Sequence, residues 1–407
     1  MNNPHIVILG GGFGGVSVAS ALRKLLPAEG RITLIDRSTH FLVGATKTWV
    51  MLGQRAPEQV LQSRLALQER GVELLQDEIT RIDAQNGVVS TSSQELQADF
   101  LVIALGASLN MATIPGLEAA AHTFYTLDEA VKLRQALESF AGGEVILLIP
   151  RAPFKCPPAP YEAAMLLQAE FSRRGISAKT RLSVYTVEGA PMATAGPQMG
   201  ALVRELLAGR GIGFHPQKKT SSVDAAQRLV HFEDGSQVSY DLLIAIPPHE
   251  APAVVRQAGP RIAGASPRIA GASLVGQSGW IPVDPQTFQV TSLSSRIPLY
   301  AVGDNITLPL PGRFNPDVPL VLPKAGVMAE AHGRVVADQI AARILGTSPS
   351  ARFDGIGACF IETGGGRAIK AEGQFFATPH PLMHADPESE AVYAEKVRWV
   401  EGWLNSQ

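Results

Sequence analysis

A glycine-rich turn between a short apolar run and a helical pattern restricts this chain more than any other feature. His5–Leu9 (HIVIL) is the apolar run, Gly10, Gly12 and Gly15 stand in GGGFGG, and Val16–Leu26 repeats apolar residues with a helical period. A second run, Arg31–Asp36 (RITLID), ends on an acid roughly 20 residues later, the spacing of a dinucleotide-binding βαβ unit. In such a unit the first glycine makes a tight turn, the second lets the backbone approach a pyrophosphate, and the third lets helix and strand pack closely. The helix N-terminus offers unpaired N–H groups and a positive dipole end to the phosphates. Asp36 is placed to accept hydrogen bonds from ribose hydroxyls.

Strand and helix patterns continue to alternate. Glu73–Ile79, Val88–Ser92 and Leu96–Leu105 read as strands, and Thr126–Phe140 as a helix. A second block follows: strand Glu144–Pro150, helix Tyr161–Arg174, strand Lys179–Val187, helix Met199–Gly209, then short strands up to Asp241–Ile246. Further on come the strand Pro298–Asp304 and a long helix over Lys324–Leu345, then short strands at Ala358–Ile361 and Gln374–Ala377 and a last helix, Glu388–Leu404. This alternation predicts an α/β fold with two Rossmann-like FAD/NAD(P)-type domains and a small C-terminal α+β domain. The expected division is 1–115 with 241–345 as a discontinuous FAD-binding domain, 116–240 as the second Rossmann-like domain, and 346–407 as the C-terminal domain. PRIAGAS, written twice in tandem over 260–273, reads as a small insertion in a surface loop.

Composition narrows the function. The 407 residues carry 35 Lys+Arg against 37 Asp+Glu, so nothing attracts a polyanion and nucleic acid is not an expected partner. The longest apolar runs are strand-sized and far short of a membrane span. MNNPHIVILGGGFGG has no basic region before its apolar run, so it reads as a first strand, not a signal peptide, and a cytoplasmic location is expected. With 2 cysteines there is no disulfide scaffold, and no metal site is read anywhere in the chain.

Two later segments separate FAD from NAD at the glycine turn. ADFLVIALGA followed by IPG resembles the strand leading out of the FAD domain in the two-dinucleotide-domain flavoproteins, although Leu105 stands where threonine is usual. PLYAVGDN resembles their second FAD fingerprint, in which the acid, here Asp304, binds the ribitol or pyrophosphate side. The expected FAD-binding set is Gly10, Gly12, Gly15, Asp36, Arg37, Ile79, Gly106, Gly303, Asp304 and Lys324. A second glycine loop, for a pyridine nucleotide, should follow the Glu144–Pro150 strand. PRAPFKCPPAPYE stands there, without a glycine and rich in proline, which has no backbone N–H to offer a phosphate. The electron donor is therefore expected to be something other than NAD(P)H.

That same turn holds Cys156, with Lys155 beside it to favour the thiolate, and Cys359 lies in ACFIETGGGRA. A cysteine pair facing a flavin can accept two electrons as a disulfide and pass them on. Together GGGFGGVSVASAL, FLVGATKTWVMLGQR, KCPPAPYEAAMLL, YAVGDN, LPKAGVMAEAHGRVVADQIA, CFIETGGG and EKVRWVEGWL span nearly the whole chain. In them the chain resembles the sulfide:quinone oxidoreductases and the flavoprotein subunit of flavocytochrome c sulfide dehydrogenase. The resemblance implies that Cys156 and Cys359 are the redox pair on the sulfide side of the flavin. It also implies that Glu162 shuttles protons, and that Lys324 opens the helix whose N-terminus points at the flavin ring. Sulfide or a small sulfur species would be the donor, and quinone or another acceptor would take the electrons.

The chain departs from that family in three ways. His122–Ala130 lacks the third cysteine many quinone reductases carry there, FLVGATKTW lacks the cysteine that attaches flavin covalently in the haem-linked branch, and no export signal is present. Non-covalent FAD follows as the expectation. Tyr393, Val397, Val400 and Leu404 form a helical stripe with Trp399 and Trp403 on its flank, but acids outnumber Lys396 and Arg398 along that helix. Core or homodimer packing is expected of it, with only weak peripheral contact at the inner face of a membrane. The alternative function is a type II NADH:quinone dehydrogenase, which shares the fold but needs the missing glycine loop.

Overall fold

A computed structural model describes residues 4–258 and 273–405. The PRIAGAS duplication lies outside the described residues but for its last serine. In chain order, the elements that position the site begin with β1 (His5–Leu9), α1 (Phe13–Leu25), β2 (Arg31–Asp36), α2 (Lys47–Met51), β3 (Glu73–Gln76), β4 (Phe100–Ile103) and β5 (Ser108–Leu109). There follow α3 (Leu127–Ser139), β6 (Gly143–Ile149), α4 (Ala159–Arg173), β7 (Thr180–Thr186), α5 (Gly196–Ala208), β8 (Gly213–His215), β9 (Leu242–Ala245) and β10 (His249–Glu250). The last are β11 (Leu299–Ala301), α6 (Gly326–Leu345), β12 (Ile356–Gly364), β13 (Arg367–Gln374), β14 (Leu382–Ala385) and α7 (Glu390–Leu404).

The first sheet runs β11–β4–β1–β2–β3 and is parallel throughout, with Leu9 opposite Ile35 on one side and Ile103 on the other. Both its faces are covered, which explains why β1 and β4 are buried at every residue rather than alternating. The second sheet, β8–β7–β6–β9, is likewise parallel. The expected α/β architecture is therefore the observed one. Leu96–Leu105 is not one strand: Glu95–Gln97 joins a small antiparallel sheet, and β4 begins at Phe100.

The C-terminal segment differs from expectation in register. Its first two strands are longer than Ala358–Ile361 and Gln374–Ala377 suggested, because Gly364, Gly365 and Gly366 all take positive φ and close a tight hairpin between them. Residues 375–377, expected as strand, lie beyond its end, 375 and 376 in a turn. This sheet buries Ile361, Ile369 and Ala371 in the apolar cluster that also covers the second sheet. The C-terminal strands thus lie against α4 instead of standing apart.

Helices α1 and α6 cross unusually closely. A Cβ on Gly333 would stand 2.7 Å from the Gly14 carbonyl oxygen and 2.7 Å from Ser17 Cβ, and Ser17 Oγ donates to the Glu330 carbonyl at 2.9 Å. That contact presses the glycine turn onto the strand-to-turn segment carrying Gly303 and Asp304. Gly333→Leu is expected to force the helices apart and destabilise the fold by about 3 kcal/mol, the upper range for overpacking, read as a lowered Tm in thermal unfolding.

Candidate functional site

The glycine turn meets its geometric demands. A Cβ on Gly15 would lie 1.8 Å from the Gly10 carbonyl oxygen, and one on Gly10 would lie 2.5 Å from that of Ala104. At Gly12, by contrast, no atom stands within 4 Å of the Cβ position, and no side chain caps α1 there. Asp36 Oδ2 accepts from the Gly11 N–H at 2.7 Å. Arg64, which no local pattern in the sequence marks, is buried beside them. It donates from Nε (2.9 Å) and Nη2 (2.6 Å) to the Gly11 carbonyl, and from Nη1 to that of Ser38, and its Nη1 lies 3.4 Å from Asp36 Oδ1.

The remaining expected cofactor residues differ in exposure and backbone conformation. Arg37 is exposed and Ile79 half-buried. Gly106 and Gly303 take positive φ, and the Gly303 N–H donates to His332 Nδ1 at 3.3 Å. Asp304 Oδ1 is buried without a hydrogen-bond partner among the described residues. An orphaned carboxylate oxygen, an open glycine and an uncapped helix start together fit a dinucleotide cofactor. Lys324 is placed otherwise than a charge facing such a cofactor. Helix α6 begins two residues later, and the Lys324 ammonium donates to the carbonyls of Asp304 (2.8 Å) and Ile306 (2.6 Å) over the face of Trp280.

Where a second nucleotide would bind in a two-dinucleotide fold, this chain places a buried tyrosine paired with an acid. Tyr161 on α4 is fully buried, and its hydroxyl donates to Glu188 Oε2 at 2.5 Å. Glu188 follows β7, where an acid would serve a ribose in a dinucleotide site. Burial pushes its carboxyl up to about 7, against the hydrogen bonds from Tyr161 and Thr186.

The proline turn between β6 and α4 delivers Cys156 with φ 56°, its N–H donating to the Lys324 carbonyl at 2.6 Å. Cys359 comes from β12, opposite Ala371. Both are free thiols and half-buried, and they are near enough that a charge on Cys156 acts on Cys359. The expectation that Lys155 favours the thiolate does not hold. Burial pushes the Cys156 thiol up to about 11, Glu162 adds to the rise, and Lys396 and Lys47 only oppose it. Burial likewise lifts the Cys359 thiol far above its ordinary range.

Beside the thiols lies an ionic cluster assembled from four separate segments. Lys396 of α7, Glu162 in the first turn of α4 and Glu362 of β12 are all buried. The Lys396 ammonium donates to Glu162 Oε1 at 2.5 Å and to Glu362 Oε1, which also accepts from Trp49 Nε1 of α2 at 2.7 Å. Burial, with Glu362 nearby, pushes Glu162 up to about 7 although Lys396 pulls it down. Burial opposes the charge on Lys396, but the two carboxylates outweigh it and hold the ammonium above the usual lysine range. Of the stripe expected to pack, Tyr393, Val397, Val400 and Leu404, α7 buries Val400 most deeply, with Val397 and Leu404 partly buried against the same apolar cluster. Val392 and Lys396 are buried as well, and Lys396 was missed because a lysine counts as a polar-face residue until its partners are known.

Removing the cation tests this cluster. Lys396→Met leaves two buried carboxylates unpaired and should cost about 3–5 kcal/mol near pH 8. Glu162 sets the pH dependence. Because its pKa is raised from 4.5 to about 7, the folded chain holds that proton more tightly than the unfolded one, and the group lowers stability as pH climbs through that window. Unfolding of Lys396→Met by denaturant should therefore show a deficit that shrinks towards pH 5, and adding Glu362→Gln should recover part of it.

Comparison with known proteins agrees with this fold. Residues 4–195 match the model of the pyridine nucleotide-disulphide oxidoreductase family. The mitochondrial sulfide:quinone oxidoreductase of Mus musculus is 24% identical over 405 residues, covering 96% of this chain and 82% of that protein. The sulfide-quinone reductase of Aquifex aeolicus is 25% identical over 405 residues, covering 97% of this chain and 87% of the relative. The solved structure of the Aquifex aeolicus sulfide:quinone oxidoreductase superposes with a TM-score of 0.83 at 23% identity, over 98% of this chain and 90% of that one, which is agreement in fold. The chain is thus an FAD-dependent oxidoreductase, homologous over nearly its whole length to the sulfide:quinone oxidoreductases.

Proposed function

We propose that this enzyme oxidises sulfide or a related small sulfur species at Cys156 and Cys359 and passes the electrons through non-covalently held FAD to quinone or another acceptor. The observation that supports this reading is that Cys156 of the proline turn, Cys359 of β12 and Glu162, a buried carboxyl shifted up to about 7, lie within one another's electrostatic influence. Bound FAD supplies the two-electron acceptor. Gly10, Gly12, Gly15 and Asp36 would hold its dinucleotide end, and Asp304 would serve its ribitol or pyrophosphate side. The expected division into a discontinuous FAD-binding domain, a second Rossmann-like domain and a C-terminal domain is part of the same reading.

The chain's own groups handle the protons. At neutral pH both sulfurs are held as thiols by burial, so forming a thiolate requires an acceptor close by. Glu162 suits that task because its carboxyl is poised near 7, while Lys396 steadies its ionised form. The FLVGATKTW segment contains no cysteine, which supports a flavin held without a covalent bond there.

The alternative, NADH as donor, is opposed by the prolines around Cys156 and by the Tyr161–Glu188 contact. No helix among the described residues is long and apolar enough to cross a membrane. Cytoplasmic placement with peripheral contact at the inner face of the membrane fits a quinone acceptor. Ile356 and Leu382, both more than half exposed and aligned through Gln374 at one end of the C-terminal sheet, support such contact.

Anaerobic mixing of the purified yellow protein with sulfide should bleach the flavin, and mixing with NADH should not. Cys156→Ser should abolish the response to sulfide while keeping the flavin. Rapid, saturable bleaching by NADH would hand the case to the dehydrogenase reading.

A further inference from the structure

Around the turn that carries Cys156 stand polar groups that the reaction leaves unused. Lys47 opens α2, and among the described residues no carboxylate or carbonyl accepts a hydrogen bond from its ammonium, which stands 5.9 Å from the centre of the Tyr125 ring. The Tyr125 hydroxyl donates to the Lys155 carbonyl at 3.0 Å, fixing the turn into Cys156. The same ring meets His249 edge-on, with centroids 5.3 Å apart. His249 lies on β10, which pairs with β5 to bridge the two parallel sheets.

His249 has a defined tautomer. Its Nδ1 lies 2.6 Å from the Pro247 carbonyl, which can only accept, so Nδ1 carries the proton and Nε2 is a bare lone pair. That Nε2 is buried and has no partner. Burial, reinforced by Lys155, Lys324 and Lys47, holds the ring down at about 3, so it stays neutral at working pH. Lys47 is strained in the complementary way. Burial and then Lys155 pull its ammonium down to about 7, while Cys156 and Asp304 pull it up. An uncompensated cation needs an anion, and a buried lone pair needs a donor.

We propose that Lys47, Lys155 and His249 form a subsite beside Cys156 for hydrosulfide, the lysines meeting its negative charge and His249 Nε2 accepting the hydrogen bond from its S–H. This rests on the sulfide-oxidation reading and supplies its recognition chemistry. Hydrosulfide offers both features in one small ion. An organic persulfide anion carries the charge without the S–H, so it would use the lysines alone.

The test uses flavin-loaded enzyme and two probes. Bromide, an unreactive monovalent anion without a proton, is titrated against the oxidised enzyme while flavin absorbance is followed. Sodium sulfide is then mixed anaerobically, and the sulfide concentration giving half-maximal bleaching is measured. Lys47→Met should weaken both responses by about tenfold or more, the scale of a hydrogen bond to a charged group, and Lys47→Arg should restore them. His249→Leu should weaken the sulfide response while leaving bromide binding, and bleaching by a small organic persulfide, near wild type. Lys155→Met provides the same test as Lys47→Met should the latter fail to retain flavin. The absence of a saturable bromide response in the wild type, or one unchanged in both lysine variants, would overturn the subsite. Should sulfide leave the wild-type flavin oxidised while bromide binding still depends on Lys47, the sulfide reading falls and the anion subsite stands. Should sulfide bleach every variant as it does the wild type, the sulfide reading stands and the subsite falls.

Discussion

One ammonium group, that of Lys396, ties together the parts of the chain that the chemistry needs side by side. Charges taken out of water repay their desolvation only when they are paired and hydrogen-bonded. Here one cation meets two carboxylates from different segments, Glu162 behind the cysteine turn and Glu362 on β12. Three buried ionisable groups with an odd charge are best accommodated by letting one carboxyl protonate easily, and Glu162 is the one shifted upward. Glu362 is three residues from Cys359 on the same strand, so the pairing that anchors Glu362 also restrains the strand that carries Cys359.

The helix that carries Lys396 reaches the cofactor turn as well. Trp399 and Trp403 of α7 pack on Phe13, the one large side chain in GGGFGG, with ring centroids 5.9 and 4.8 Å away, and Phe13 in turn meets Phe41 edge-on at 4.9 Å. A glycine turn alone is a soft element, because glycine restricts neither its own backbone nor its neighbours. Phe13 removes that softness by inserting a ring into an aromatic cluster. The turn that would hold a pyrophosphate and the strand that holds Cys359 are thus both braced by α7.

How much of this was legible in the sequence depended on whether the signal was local. The βαβ unit from His5 to Asp36 was, because each glycine answers a short-range steric demand. The second parallel sheet was legible from alternation alone, and so was the missing nucleotide loop, since proline at the turn is a local fact. Lys396 was not: its burial is decided by carboxylates far away in the chain, and by periodicity it reads as a solvated residue. Arg64 was hidden for the same reason, since the Gly11 carbonyl that it caps lies more than 50 residues upstream. The thiol of Cys156 was misjudged because Lys155 is its neighbour in sequence, whereas the burial that sets its protonation is a property of the assembled pocket.

The turn where a second nucleotide would bind in a two-dinucleotide fold and the turn that carries Cys156 are the same turn. In a two-dinucleotide fold the turn after the first strand of the second sheet and the start of the following helix would receive a pyrophosphate. In this chain that turn carries Cys156, and the first turn of α4 carries Tyr161 and Glu162, side by side and both buried. Tyr161 points to Glu188 and occupies the acid a ribose would need, whereas Glu162 points to Lys396. A backbone that must hug a phosphate cannot also present these side chains, because the close approach requires glycine. On the sulfide-oxidation reading, a different electron donor would need no new fold, only other side chains at this one turn.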